Sequence, residues 1–203
     1  MKPRLFNSYL RFASVCIALG ALSGCAALTG SEATSDTFEL AATNVKSSQP
    51  VRRGAQILIA EPTALKALDS ENIVIETAPL TIQYLDEARW SDRLPRVIQQ
   101  KLASAFESSN RFAGVGLPGQ GLAIDYQLIT EVRDFGIEAA GNVADVSISV
   151  KLLNDRTGNV IGNRLFSARA NAGSDTSDAY VKALNEAFSE VSEEIVVWVT
   201  SRI

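Results

Sequence analysis

Few side chains in this 203-residue chain can do covalent or acid–base chemistry. It contains no histidine, and its two cysteines, Cys16 and Cys25, both lie near the N-terminus. Without an imidazole the chain cannot build a Ser-His-Asp or Cys-His arrangement, and the usual nitrogen ligands of zinc are missing. Carboxylates are therefore the remaining candidates for catalysis.

The carboxylates are poorly placed for that role. Asp86-Glu87 and Glu193-Glu194 are adjacent pairs, so the two side chains of each pair project to different faces and do not converge on one substrate. The glycine-rich segment 114–121 leads into a strand pattern, whereas a phosphate-binding loop should lead into a helix. We therefore expect no catalytic residue, no metal site and no enzyme. A carboxylate hydrolase stays an alternative that needs two acids in one cleft.

The most informative motif is Leu22-Ser23-Gly24-Cys25, which places a thiol directly after the apolar segment 12–22. That segment follows three basic residues and is shorter than the roughly 20 residues of a transmembrane helix. The pattern is typical of a bacterial lipobox, in which the cysteine receives diacylglyceryl and acyl chains and becomes the mature N-terminus. The alternative is an ordinary secretory signal that leaves Cys25 as a small apolar residue.

This reading divides the chain into three parts. Residues 1–24 are predicted to be a lipoprotein signal peptide, residues 25–36 a lipidated N-terminus and flexible tether, and residues 37–203 a single domain. The tether could hold the domain up to roughly 35 Å from a bilayer surface. Apart from the covalent lipid on Cys25, we expect no cofactor.

The charge balance argues against nucleic-acid binding. The formal net charge is −4, and loss of the signal peptide with its basic residues would make it more negative. Nucleic-acid phosphates repel such a chain, and no basic run reverses the argument locally.

Apolar periodicity predicts an α+β fold. Residues 122–133 and 145–152 alternate with a period of two, and the turn at 154–159 has Gly158 placed for a positive φ. The other predicted strands are 37–42, 56–60, 72–77, 81–85 and 160–170. A short helix of at most two turns is predicted at 64–68.

Two long amphipathic helices complete the prediction. The first follows Trp90, with Ser91 or Asp92 as its cap and Pro95 in its first turn. The second begins at about Asp178 and carries one apolar stripe. We predict a two-layer fold, in which both helices pack on one face of a mainly antiparallel sheet.

Two local groups are candidate contact sites. Trp90 and Arg93 flank the start of the first helix and could contact a partner, although packing beside the helix start explains them as well. Val197 and Trp198 end the C-terminal stripe and could contact lipid or a second copy, the alternative being burial in the core.

These features together resemble the ABC-type transport auxiliary lipoproteins. The resemblance covers most of residues 37–200 and rests on the lipobox, the long middle strands and three short segments. The segments are Ile82-Gln83-Tyr84, Trp90-Ser91-Asp92-Arg93-Leu94 and Ala183-Leu184-Asn185-Glu186-Ala187. That family has no catalytic residues to carry over.

The resemblance implies an accessory subunit of a mammalian-cell-entry (Mce) type system, in which an ABC permease, an ATPase and a periplasmic protein move lipid, often phospholipid, across the periplasm. Ala26 follows the predicted lipidated cysteine, which favours the periplasmic face of the outer membrane. The leading hypothesis is a docking module for the Mce-type protein. The alternative is a lipid carrier with its own apolar pocket, and a homo-oligomer is compatible with either.

Overall fold

The computed structural model describes residues 35–45 and 54–203. The predicted signal peptide, Cys25 and nearly all of the predicted tether lie outside the described residues. The strands are β1 (Asp36–Phe38), β2 (Gln56–Ile59), β3 (Thr63–Ala64), β4 (Asn72–Ala78), β5 (Thr81–Trp90), β6 (Gly114–Gly116), β7 (Tyr126–Glu138), β8 (Val143–Asn154) and β9 (Val160–Asn171). The helices are α1 (Leu94–Ser108) and α2 (Ser177–Thr200).

Strand β7 organises the nine-stranded sheet. On one side it pairs along its whole length with β8, which in turn pairs with β9. On the other side β2, β3 and β4 pair with successive stretches of β7. Beyond them β4 pairs with β5, β5 with β1, and β2 with β6.

The prediction of a mainly antiparallel sheet is confirmed. The three long ladders, β4–β5, β7–β8 and β8–β9, are antiparallel. The short ladders that join β2, β3 and β4 to β7 are parallel, as are β1–β5 and β2–β6. Periodicity along one strand does not contain strand direction, so the sequence did not predict these parallel ladders.

The sheet has one apolar and one polar face, and the helices cover the apolar one. Along β8, Val146, Ile148 and Val150 are fully buried, while the residues between them face the other way. The buried stripes of α1 and α2 join the same hydrophobic cluster as these strand residues. The predicted α+β fold with two helices and an open sheet is therefore confirmed.

A β-bulge in β7 ends the regular alternation that the sequence predicted. Val132 is buried, but the pairing with β8 shifts register between Val132 and Asp134, and Phe135 is the next core residue. The extra residue turns Asp134 onto the open face of the sheet. The predicted strand 122–133 is observed as Tyr126–Glu138, so it begins four residues later than predicted.

Both predicted hairpins form. Gly158 has φ of 70°, as predicted for the turn between β8 and β9. Pro79 and Leu80 form the turn between β4 and β5, and Leu80 takes φ of 65°. Such a φ is uncommon for a residue other than glycine.

Two local predictions were wrong. The predicted helix at 64–68 is a single turn, in which Leu68 N and Asp69 N donate to Leu65 O, because residues 63–64 pair with β7 as β3. One isolated turn lacks the length that a stable helix needs. The predicted caps of α1 are also wrong, since its N-cap is Arg93, without a side-chain hydrogen bond.

The segment after β1 lies across the two helices. The peptide N–H of Ala41 donates to Asn185 of α2 at 2.7 Å, and that of Val45 donates to Ser108 of α1 at 3.2 Å. Leu40 is buried with the core. This packing ends β1 at Phe38, so the predicted strand 37–42 is shorter than expected. Within the described residues, no helix combines the length and the apolar character needed to cross a bilayer.

Candidate functional site: an acidic groove on the open face of the sheet

A groove of about 230 Å³ lies on the open face, between the β3–β4 connection and strands β4, β5 and β7. Its apolar wall is built by register. In the antiparallel β4–β5 pair, Glu76 lies opposite Ile82 and Val74 opposite Tyr84, so these side chains share the open face. The β3–β4 connection adds Leu65 and Leu68.

Gly136 forms the floor of the groove. It lies opposite Val74 in the parallel β4–β7 pair. A Cβ atom at this position would lie 3.1 Å from Val74 O and 3.2 Å from Val74 Cγ1, which is tighter than ordinary packing allows. Glycine therefore lets the backbones of β4 and β7 approach with Val74 packed over them.

The other wall of the groove is acidic. Asp134 is exposed at the rim of the groove, but partial desolvation of its carboxyl raises its pKa, and the nearby carboxylates of Asp145 and Glu76 raise it further. The peptide N–H of Phe135 and the guanidinium of Arg169 act in the opposite direction. Desolvation and like charge both disfavour the ionised form, so this site favours a cation beside Asp134.

Arginines offset part of this charge. The guanidinium of Arg169 forms an ion pair with the carboxylate of Glu138, and Arg169 Nε lies 3.2 Å from Asp145 Oδ2. Arg133, which lines the groove, pairs with Glu131 at 2.8 Å. Four carboxylates, from Glu76, Asp134, Glu138 and Asp145, line the groove against the single guanidinium of Arg133.

The groove therefore combines negative charge with an apolar wall, which suits a basic side chain carried on an apolar segment. In the described part of the chain, no group of three or more His, Cys, Asp or Glu residues is placed to hold a metal ion.

Of the sequence-predicted site residues, Trp90 belongs to the core. Its side chain is 1% exposed and its ring packs edge-on against Phe135, with the ring centres 5.8 Å apart. This burial supports the packing role that the sequence analysis left open for Trp90, and it leaves little of the ring accessible to a partner.

Arg93 is accessible but engaged. Its Nε donates to Asp69 at 2.8 Å and its Nη1 donates to Glu61 at 3.1 Å. The hydrogen bond that Arg93 donates to Asp69, followed by the charges of Asp69 and Glu61, raises the pKa of the guanidinium above its usual value. Arg93 thereby fastens the β3–β4 connection, which forms a wall of the groove, to the start of α1.

The second predicted contact pair, Val197 and Trp198, also consists of one exposed and one buried residue. Val197 is 56% exposed, whereas Trp198 is 6% exposed and packs edge-on against Phe166 at 5.7 Å between ring centres. Arg202 lies over the Trp198 ring at 5.2 Å. A shallow depression on this surface is lined by Arg164, Glu193, Glu194, Val197, Trp198 and Ser201. Cys25 lies outside the described residues.

Sequence reasoning missed the groove because its residues come from five separate segments. One local signal was present: Asp134 follows Val132 at the position where continued alternation requires an apolar residue. A carboxylate at such a position indicates either a strand end or a bulge, and the structure contains the bulge.

Comparison with known proteins identifies the family. A sequence profile described as ABC-type transport auxiliary lipoprotein component matches residues 38–196. The match covers most of the chain, and the protein therefore belongs to this family of accessory transport lipoproteins. The family description names an auxiliary component of ABC-type transport, and the family is not a family of enzymes.

A curated relative and two solved structures are similar to the chain. The uncharacterized protein bll6063 of Bradyrhizobium diazoefficiens is 26% identical over 183 residues, which are 88% of this chain and 49% of that protein. The chain thus spans about half the length of this relative.

The crystal structure of protein XCC0632 from Xanthomonas campestris has a TM-score of 0.75 and 24% identity, covering 82% of this chain and 96% of that one. The hypothetical protein CT253 from Chlamydia trachomatis has a TM-score of 0.54 and 11% identity, covering 73% and 96%. These two likenesses show a shared fold.

Proposed function

We propose that this protein is a lipid-anchored docking subunit of an Mce-type ABC transport system that moves lipid across the periplasm. The observation that carries the proposal is the family match over residues 38–196, which spans nearly all of the described domain. The lipobox at Cys25 supplies the anchor, and Ala26 after it favours the periplasmic face of the outer membrane. The partners would be the periplasmic Mce-type protein and, through it, the ABC permease and ATPase.

Docking is favoured over lipid carriage because the layer between helices and sheet is filled with side chains. Ile98 of α1, Phe135 of β7 and Phe188 of α2 are all at most 1% exposed. Close-packed interiors of this kind leave no room for an acyl chain unless side chains move. A carrier also needs a concave apolar site, typically of several hundred Å³.

The groove on the open face is the proposed docking site. Its occupant would be a segment of the Mce-type protein that places a Lys or Arg beside Asp134 and an apolar side chain against Leu65 and Val74. Charge complementarity supports this choice, because four carboxylates line the groove and only two of them, Glu138 and Asp145, pair with Arg169. A partner side chain of this kind would also lower the pKa of Asp134, because an adjacent positive charge favours the ionised form.

Charge reversal in the groove tests the docking site. Glu76→Lys changes an exposed groove residue and should reduce recovery of the Mce-type protein at least several-fold in pull-downs from detergent-solubilised envelopes. Glu190→Lys is the matched control, because Glu190 is exposed on α2 and takes no part in the groove. Equal recovery with both variants would exclude the groove, and no recovery with the unaltered protein would exclude the docking function.

Lipid analysis tests the alternative function. Mass spectrometry of the purified domain should detect no stoichiometric non-covalent lipid. A tightly bound phospholipid at one copy per chain would favour the carrier and would require the core to open.

A further inference from the structure

We propose that the tip of the β4–β5 hairpin rests on the same bilayer surface that holds the lipidated N-terminus. The inference depends on the proposed anchor at Cys25 and goes beyond it, because it assigns a second, non-covalent membrane contact to the folded domain. The contact residues are Pro79, Leu80, Ile82 and Tyr84.

The tip is apolar and exposed. Leu80 is 103% exposed, Ile82 is 51% exposed and Tyr84 is 45% exposed. Leu80 also takes φ of 65°, a conformation that glycine or asparagine adopts at lower cost in a two-residue turn. Leucine at this position therefore adds nothing to the packing of the core and is strained, which points to a role outside the fold.

The chain enters β1 from the end of the sheet that carries the tip. Strand β1 is parallel to β5, with Asp36 opposite Ala88 and Phe38 opposite Trp90. Because β5 runs away from the tip, β1 does so too, and the chain enters β1 from the tip side. After β1 the chain turns away to the helices, where Val45 bonds to Ser108.

The chain between Cys25 and β1 is long enough for the proposed anchor and the hairpin tip to contact one bilayer. Asn72 of β4 pairs with Arg89, which is at the level of β1, and Ala78 pairs with Thr81 at the tip. Ala78 comes six residues after Asn72 along β4. This corresponds to roughly 20 Å between the level of β1 and the tip. The eleven residues from Cys25 to Asp36 can span at most about 36 Å. The anchor can therefore reach a bilayer that touches the tip.

The side-chain chemistry fits a lipid interface. Leucine and proline at a turn present apolar surface without charge, and tyrosine has the amphipathic ring that is enriched at headgroup level. The nearest groove acids, Glu76 and Glu138, would be repelled by anionic headgroups. The occupant proposed is accordingly a bilayer of zwitterionic phospholipid, and not a second copy of the chain or a protein partner.

Site-specific fluorescence can test the contact on the lipidated full chain. Once Cys25 is acylated and Cys16 is removed with the signal peptide, Leu80→Cys introduces a single free thiol for an environment-sensitive dye. Val160→Cys is the matched control, because Val160 is also an exposed apolar residue but follows the β8–β9 turn, at the opposite end of β7. Both proteins are reconstituted into phosphatidylcholine vesicles, with and without nitroxide-labelled lipid.

The dye at position 80 should shift to the blue and be quenched several-fold more by nitroxide lipid than the dye at position 160. Equal quenching at the two positions overturns the proposal. A blue shift that depends on protein density and is insensitive to nitroxide lipid also overturns it, since that result indicates a second copy on the tip. Failure of the proteins to float with vesicles at all would contradict the Cys25 anchor instead. Circular dichroism that matches the unaltered protein confirms that each variant is folded.

Discussion

Trp90 is a central packing residue of the core. Its ring meets Phe135, and Phe135 in turn packs against Phe188 of α2 at 5.9 Å between ring centres. The three rings connect β5, β7 and α2 across the core. The peptide N–H of Trp90 also donates to Glu71 O at 2.7 Å, which holds the start of β4 beside the end of β5.

Trp90→Ala should therefore lower the free energy of unfolding by about 3–5 kcal/mol, because it removes a large buried ring and leaves a cavity. Trp90→Phe should cost clearly less, since it keeps most of the contact with Phe135. Urea denaturation followed by circular dichroism measures both. A loss below about 1 kcal/mol for the alanine variant would contradict the packing role.

Asp134 predicts a dependence of stability on pH. Partial desolvation, followed by the charge of Asp145, raises the pKa of this carboxyl in the folded state above its ordinary value of 3.8. Folding therefore favours the protonated form, so the contribution of Asp134 is most favourable below pH 3.8 and is lost as the pH rises through the raised pKa.

Asp134→Asn should accordingly stabilise the protein at neutral pH, and the gain should shrink as the pH falls towards 3.8. Asparagine keeps an oxygen that can accept from Phe135 N. Urea denaturation at several pH values, with Asp178→Asn as an exposed control near the start of α2, measures the difference. A stabilisation that does not change with pH would mean that charge is not the cause.

At the scale of elements, the short parallel ladders decide where the groove forms. Strand β4 reaches β7 over only three residue pairs, and Gly136 lies in the first of them. The close approach of the two backbones at this point brings Val74 over the floor of the groove.

Gly136→Ala should push β4 from β7 and lower the free energy of unfolding by about 1–3 kcal/mol, the usual cost of overpacking. Gly114→Ala is the control, because its new Cβ would meet the flexible side chain of Gln56 at 3.3 Å. Thermal unfolding of both variants compares them. Equal melting temperatures for the two would mean that the β4–β7 approach tolerates a side chain.

The elements also divide into those that the sequence specifies locally and those that it does not. The alternation of Val146, Ile148 and Val150 and the stripe of α2 needed no tertiary information, because each repeats with the period of its own element. The helix predicted at 64–68 failed because pairing with β7 outweighed local preference. The bulge at Arg133, and with it the acidic wall of the groove, depends on the partner strand β8.

For the whole molecule, the fold explains how one face can be free for contacts while the domain stays stable. The two helices and the segment after β1 cover the apolar face completely enough that the core residues of β8 are fully buried. The opposite face of the sheet bears the groove and is open to solvent. This division would allow the proposed partner to bind the open face without disturbing the core.

The proposed docking function depends on lipid at residue 25, since a docking subunit of this kind must be held at the membrane. Several acyl chains give lasting attachment where one chain binds only marginally. Cys25→Ala should therefore yield a folded domain that leaves the membrane fraction.

Intact-mass spectrometry of the protein purified from envelopes is the most direct test. We predict a mature chain that begins at Cys25 and carries the added mass of diacylglyceryl and N-acyl groups. A mature protein with an unmodified Cys25, or one that begins at another residue, would contradict the account.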